Sequence, residues 1–156
     1  MLSTLQLTSI LIKDREFAPY FGGVCAANEI HSKISMNKKI YIVNTQNSYQ
    51  NGKHWVAFLI NFGKFSEFFD SLGESPQRNN PLFEIFLKKQ KKKYKINLKR
   101  FQNFNTDSCG KFCLFFLKLR IWGYSMEDIC NYLSNYSLHE NELQISKFVS
   151  DQFEVV

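Results

Sequence analysis

Residues 102–117 read Gln-Asn-Phe-Asn-Thr-Asp-Ser-Cys-Gly-Lys-Phe-Cys-Leu-Phe-Phe-Leu, and the interpretation of this stretch decides the fold. A polar run ending in Asp107 and Ser108 has the character of a helix cap, and Cys109-Gly110 open a strongly apolar helix directly after it. A thiol placed there sits among backbone N–H groups that lack intrahelical partners, at the positive end of the macrodipole, which favours a thiolate over a thiol. The same N–H groups can receive a developing oxyanion. Gln102, seven residues upstream, can fold its amide back beside Cys109 as a second oxyanion donor. The plainer alternative is a buried helix whose first cysteine merely packs, since free cysteine is among the most buried residue types.

Outward from Cys109, the helix stays apolar on almost every face as far as Trp122, the pattern of a helix buried at the centre of a fold. Cys113, one turn on, reads as a core residue. Gly123 stops the helix, Ser125 caps a second one whose Ile129, Cys130 and Leu133 face inward, and a last helix covers residues 140–153. On the upstream side, Ile96, Leu98 and Phe101 alternate with polar residues and predict a strand that delivers Gln102 towards the cysteine. Residues 81–90 carry Leu82, Phe83, Ile85, Phe86 and Leu87 in helical spacing, while residues 71–81, with Gly73, Pro76 and Pro81, read as a loop. The helix runs into Lys88, Lys89, Lys91, Lys92, Lys93 and Lys95, which suit DNA phosphate contacts, a nuclear-import patch or a solvated helix end.

Further upstream the apolar period changes from helical to extended. Ile40 to Val43 read as a buried strand within residues 39–45, Asn51-Gly52 is a hairpin dipeptide, and residues 53–61 and 65–71 are strands joined by a turn at Phe62-Gly63. Three strands in an antiparallel meander follow. With the turn near residues 62 and 63, a three-residue connection sets Asp70 directly opposite His54. Directly opposed residues bring their Cβ atoms to about 4.5–5.5 Å, close enough for an imidazole to bond a carboxylate. A one-residue slip would turn Asp70 to the other face. The competing interpretation makes His54 an ordinary strand-edge residue and Asp70 an ordinary strand terminator.

At the start of the chain, Ser3 and Gln6 have capping-box spacing for a short packing helix that ends near Lys13. Residues 17–24, which mix aromatics with Pro19, Gly22 and Gly23, read as a loop, suited either to lining a substrate groove or to a structural turn. The 156 residues predict one domain spanning 1–156, globular and soluble, with an aromatic-rich interior from sixteen Phe and seven Tyr. A net charge of +6 predicts attraction to polyanions without naming one. Cys25, Cys109, Cys113 and Cys130 have no Cys-x-x-Cys spacing and no secretory segment before them, which argues against zinc and disulfides and for a reducing, intracellular compartment. No apolar run approaches the roughly 18 residues that span a bilayer, so no membrane partner is expected. His31 and His139 lie near no acid–thiol arrangement.

His54, Asp70, Gln102 and Cys109 supply one residue type for each need of acyl transfer: base, orienting acid, oxyanion donor and nucleophile. The chain here resembles the adenovirus endopeptidase (adenain) family of cysteine proteases, in the clan that also holds the ubiquitin-like-protein-specific proteases. The matching residues are Ile42-Val43-Asn44-Thr45, Gly52-Lys53-His54-Trp55-Val56-Ala57-Phe58, Phe69-Asp70-Ser71-Leu72-Gly73, and Gln102 through Cys109-Gly110-Lys111-Phe112-Cys113 to Leu117. The resemblance implies an α+β fold with an antiparallel-rich central sheet packed on a buried helix bearing the nucleophile Cys109, a papain-like site arrangement and adenain-type topology. It implies His54 as base, Asp70 as acid, Gln102 as oxyanion donor and Cys109 as nucleophile; Trp55, after the base, also matches the pattern and joins Gly22 and Gly23 as the candidate substrate-groove residues.

The resemblance also implies cleavage of polypeptides after small residues, at Gly-Gly or Gly-x sites, in the maturation of virion or transposon-encoded precursors, in a host nucleus or virion. No cofactor is needed for the chemistry, and DNA or a peptide is a candidate activator. Adenovirus enzymes usually carry Glu where this chain has Asp70, and Asp-Ser-Leu-Gly looks more like the SUMO-protease side of the clan. Residues 71–101 contain no cysteine for a disulfide-tethered activator peptide. A monomer is expected. The alternatives are an isopeptidase for ubiquitin-like modifiers and, from another class, a catalytically silent DNA-binding module.

Overall fold

Residues 40–43 and 55–59 are apolar throughout, and strands of that kind need cover on both faces. The computed structural model describes residues 1–155 apart from 34 and 36. Five strands, β1 (Phe21–Cys25), β2 (Ile40–Asn44), β3 (Trp55–Leu59), β4 (Ser66–Phe69) and β5 (Tyr94–Ile96), form one sheet in that order. The helices are α1 (Thr4–Lys13), α2 (Ile30–Lys33), α3 (Pro76–Asn79), α4 (Pro81–Lys88), α5 (Cys109–Ile121), α6 (Met126–Ser134) and α7 (Leu138–Gln152). Side chains of the pleated strands alternate between faces. Ile40, Ile42, Ala57, Leu59 and Phe69 join a core with Phe112 and Phe116 of α5. Tyr41, Val43, Val56, Phe58 and Phe68 pack on the other face against Phe83, Phe86 and Leu87 of α4.

The fold is α+β with a mixed sheet. The meander of β2, β3 and β4 is antiparallel, as the turns expected between its strands predict, but β1 pairs in parallel with β2, and β5 in parallel with β4, so two of the four pairings are parallel. The expectation of an antiparallel-rich sheet therefore holds only at its centre. Residues 17–24, expected as a loop, contain most of β1. Gly22 lies in that strand because a Cβ there would stand 2.3 Å from Cζ of the buried Tyr41. The expected strand through Leu98 and Phe101 stops at Ile96. Asn97 ends it by turning its side chain into the ladder: Asp70 N–H donates to Asn97 Oδ1 at 2.9 Å, and Asn97 Nδ2 donates to the Asp70 carbonyl at 2.7 Å. Leu98 is left exposed.

The segment expected as a loop from 71 to 81 contains α3, started by the Ser75 cap and Pro76 at its first position. The expected helix over 81–90 ends at Lys88. Capping boxes at Ser3, Ser125 and Ser137 start α1, α6 and α7. Nine residues of α5 are buried, as its unbroken apolar character predicts, and they include Lys118, whose ammonium meets Asp14 at 2.6 Å and Glu16 at 2.9 Å.

Gly73 lies at a turn that the acid depends on. Its φ is +75°, its N–H donates to the Asp70 carbonyl at 2.8 Å, and a Cβ would approach the Lys99 carbonyl carbon to 2.8 Å and the Arg100 nitrogen to 2.9 Å. Gly73→Ala is therefore expected to cost about 1–3 kcal/mol. Thermal unfolding should register this as a fall in Tm of about 2–4 °C per kcal/mol; an unchanged Tm would mean the turn yields freely.

Candidate active site

His54 immediately precedes β3, and its carbonyl accepts from Thr45 N–H at 2.9 Å, which fixes the backbone at the strand's edge. Asp70 immediately follows β4. The observed register pairs Ala57 with Phe69 and Leu59 with Glu67, which by extension sets Asp70 across from Val56 rather than from His54. Direct pairing of His54 with Asp70 is thus corrected by two residues. The cause is a longer connection between β3 and β4, in which Asn61 adopts φ +51° and its N–H donates to Ser66 Oγ at 3.0 Å. A two-residue offset keeps both side chains on one face, and diagonal neighbours remain within reach of long side chains. His54 Nε2 lies 2.5 Å from Asp70 Oδ1.

The Asp70 carboxylate is fully occupied. Oδ1 also accepts from Leu72 N–H at 2.9 Å, and Oδ2 accepts from Glu74 N–H at 3.1 Å and Asn79 Nδ2 at 3.0 Å. Burial alone would raise the pKa of Asp70, but these bonds and the His54 charge outweigh it, so the carboxyl is held below its ordinary value. Burial likewise disfavours the imidazolium of His54. The hydrogen bonds to Asp70 and Cys109, with their negative charges, reverse this and raise its pKa to about 9. With Nε2 on Asp70, Nδ1 is the ring nitrogen left for Cys109.

Cys109 is the first residue of α5 and is buried. Its Sγ accepts the backbone N–H of Trp55, the residue after His54, at 3.4 Å and lies 3.9 Å from Met1 Sδ. Trp55 is held in turn by its indole N–H, which donates to the Leu2 carbonyl at 3.0 Å. Trp55 and Met1 also line a cleft of about 560 Å³ beside the thiol, together with Leu2, Val24, Asn44 and Gly52. Gly22 and Gly23 do not line it, and the close neighbours of Gly23 are side-chain atoms of Lys33.

Gln102 is buried near the same end of α5. Ser71 Oγ donates to its Oε1 at 2.5 Å, and its Nε2 donates to Thr106 O at 3.2 Å and Thr106 Oγ1 at 3.1 Å. The expected side-chain cap at Ser108 is not made. Ser108 occupies the N-cap position with φ −86° and ψ 5°, and its hydroxyl goes to Glu142 instead.

Sequence reasoning missed Asn79, Asn97 and Glu142. Ser75-Pro76 is a helix-start signal that could have placed Asn79 near Asp70. Burial raises the pKa of the remaining cysteines, to about 12 for Cys25, to about 11 for Cys130 and well above the ordinary thiol range for Cys113.

A cysteine, a histidine and a buried carboxylate grouped in this way on an α+β frame is an arrangement that thiol hydrolases use. Residues 20–147 match the model of the Ulp1 protease family, C-terminal catalytic domain, and the chain belongs to that family. It is a cysteine protease and acts on polypeptides, within the clan that the resemblance to adenain indicates. Among solved structures, the central domain of an uncharacterised protein from Legionella pneumophila is similar at 14% identity, with a TM-score of 0.49 over 97% of this chain and 98% of that one. No curated protein matches the chain.

Proposed function

We propose that this domain is an endopeptidase that cuts after small residues, at Gly-Gly or Gly-x sites, in virion or transposon precursor proteins inside the host nucleus or the virion. The observation that carries the reading is the buried His54–Asp70 pair at 2.5 Å together with Cys109 at the start of α5, whose thiol accepts the N–H of Trp55, the residue next to His54. Cys109 gives its proton to His54 and attacks the scissile carbonyl carbon, forming a C–S bond. Asp70 holds the imidazolium. The oxyanion is received by backbone N–H groups at the start of α5 and by the Gln102 amide, whose Nε2 rests on Thr106 O and Oγ1 and releases one of these contacts to the oxyanion. His54 then protonates the departing amine, and water, deprotonated by His54, hydrolyses the thioester. The Met1 thioether, 3.9 Å from Sγ, crowds the approach to the thiol, and Trp55 lines the same cleft, which supports a preference for small residues at the cut.

A second reading, an isopeptidase for ubiquitin-like modifiers, is favoured by the family match. The two differ in substrate, so the test sets Leu-x-Gly-Gly reporter peptides beside intact modifier conjugates. A peptide electrophile ending in Gly-Gly should label Cys109 in the same preparation. Preferential peptide cleavage supports the endopeptidase, and much faster cutting of conjugates supports the isopeptidase. No cleavage and no labelling would overturn both and leave a silent DNA-binding module. Duplex DNA belongs in one arm. Lys88 is paired with Glu84 and Lys95 with Glu127, and Lys92 reaches the Gly63 carbonyl, but Lys89, Lys91 and Lys93 are exposed on one short segment. We expect DNA to raise the rate in a salt-sensitive manner.

A further inference from the structure

Ser108 stands at the N-cap of α5 and caps nothing, and its hydroxyl is donated to Oε2 of Glu142 on α7 at 2.5 Å. Glu142 Oε1 accepts from Thr106 Oγ1 at 2.7 Å and from Asn103 N–H at 3.2 Å. One carboxylate therefore grips three points of the segment that joins Gln102 to Cys109. Residues 104–107 are exposed, with Phe104 at 69%; Asp107 meets the Met1 ammonium and Thr106 bonds the Asn103 carbonyl through its N–H and its hydroxyl, and Glu142 is the anchor that reaches the segment from α7. Hydrogen bonds to an ionised carboxylate are about twice as strong as neutral ones.

The grip reaches the oxyanion side of the site. Thr106 Oγ1, whose single O–H is shared between Glu142 at 2.7 Å and the Asn103 carbonyl at 2.9 Å, presents lone pairs to the Gln102 amide, and Ser71 holds the other end of that amide. At the start of α5, Ser108 makes no side-chain cap, its φ of −86° and ψ of 5° departing from the extended backbone that capping uses, and its hydroxyl is held on Glu142.

We propose that Glu142 is a positioning residue for the reaction, holding residues 103–108 so that Thr106 keeps the Gln102 amide beside the start of α5, from where it turns to the oxyanion. This rests on the roles assigned above to Cys109 and Gln102. The helix that supplies Glu142 lies 34 residues or more along the chain from the residues it grips. α7 is thereby part of the catalytic apparatus as well as of the core.

The test compares wild type, Glu142→Ala, Glu142→Gln, Gln102→Ala and the Gln102→Ala/Glu142→Ala double variant. Deleting a side-chain oxyanion donor costs about 10²–10³ in turnover, and Glu142→Ala should lose somewhat less, about 10–100-fold in kcat, with KM within about twofold. Glu142→Gln, which keeps an acceptor but no charge, should fall between wild type and alanine. In the double variant most of the Glu142 effect should vanish, since the two residues act on one element. An unchanged kcat in both Glu142 variants, or a full Glu142 effect persisting without Gln102, would overturn the proposal. Amide exchange over residues 103–109 gives a readout independent of turnover. It should quicken at least tenfold in Glu142→Ala while the β2–β3 amides stay protected. An inactive wild type would count against the assigned reaction, and exchange would still decide whether Glu142 holds the segment.

Discussion

An enzyme with alanine in place of His54 is expected to lose about four orders of magnitude in kcat/KM, close to the loss from Cys109→Ala. His54 bonds the buried Asp70 carboxylate directly, and the residue after it, Trp55, bonds the thiol, so in the proposed reaction its removal breaks two proton movements at once. A cysteine without a base is mostly protonated at neutral pH, and the departing amine would have no acid behind it. The two changes should not add: His54→Ala/Cys109→Ala should be no worse than either single variant, as for groups that act as one unit. The fold should survive, because His54 is an edge residue outside both hydrophobic clusters. Labelling by a Gly-Gly electrophile provides a second readout. The other three thiols are held protonated by burial, so neutral-pH labelling of the wild type should map to Cys109 and slow at least tenfold without His54. Reporter cleavage within about tenfold of wild type would assign the base to another group.

The grouping of His54, Asp70 and Cys109 was legible because each signal is local. A hairpin brings the first two together through strand parity, and an apolar run after Ser108 puts the third at a helix start. Parity survived even though the register did not: a shift of two residues, driven by the Asn61 turn, leaves Asp70 on the same face. The parallel pairings of β1 and β5 were not legible. Nothing in residues 21–25 or 94–96 says which distant strand each will join, and Gly22 looks like a loop residue until Tyr41 is seen against it. The least legible residues are the polar ones that support the site. Asn79, Asn97 and Glu142 each act on a partner 9 to 39 residues away, and an isolated Asn or Glu in a polar stretch carries no periodic signal. Only the Ser75-Pro76 helix start pointed towards one of them.

Asp70→Asn should lower kcat/KM by about 10²–10⁴, the upper end being the effect of the corresponding change in a serine-protease triad. It should also move the alkaline limit of the reaction. In the wild type the His54 charge persists until about pH 9, because the bonds and charges of Asp70 and Cys109 outweigh burial. Asparagine removes the larger of those two partners, burial then disfavours the imidazolium, and the alkaline limb of kcat/KM should move down by at least about one pH unit. The substitution also strikes a saturated acceptor. Three N–H donors besides His54 converge on the carboxylate, so whichever oxygen the new amide NH₂ replaces, it must face a donor, from Leu72 or His54 on one side or from Glu74 and Asn79 on the other. Each polar group left unpaired there costs about 1–3 kcal/mol. The pH dependence of stability has a definite sign. The lowered pKa of Asp70 contributes stability above its unfolded value of 3.8 that is lost as pH falls through the folded value. The raised pKa of His54 contributes stability fully present below its unfolded value of 6.5 and lost as pH rises through about 9. Wild-type Tm should therefore be highest between about pH 4 and 6.5 and decline on both sides, whereas Asp70→Asn should lower and flatten that profile. A wild-type alkaline limb unmoved by the substitution would mean that Asp70 orients His54 without setting its charge.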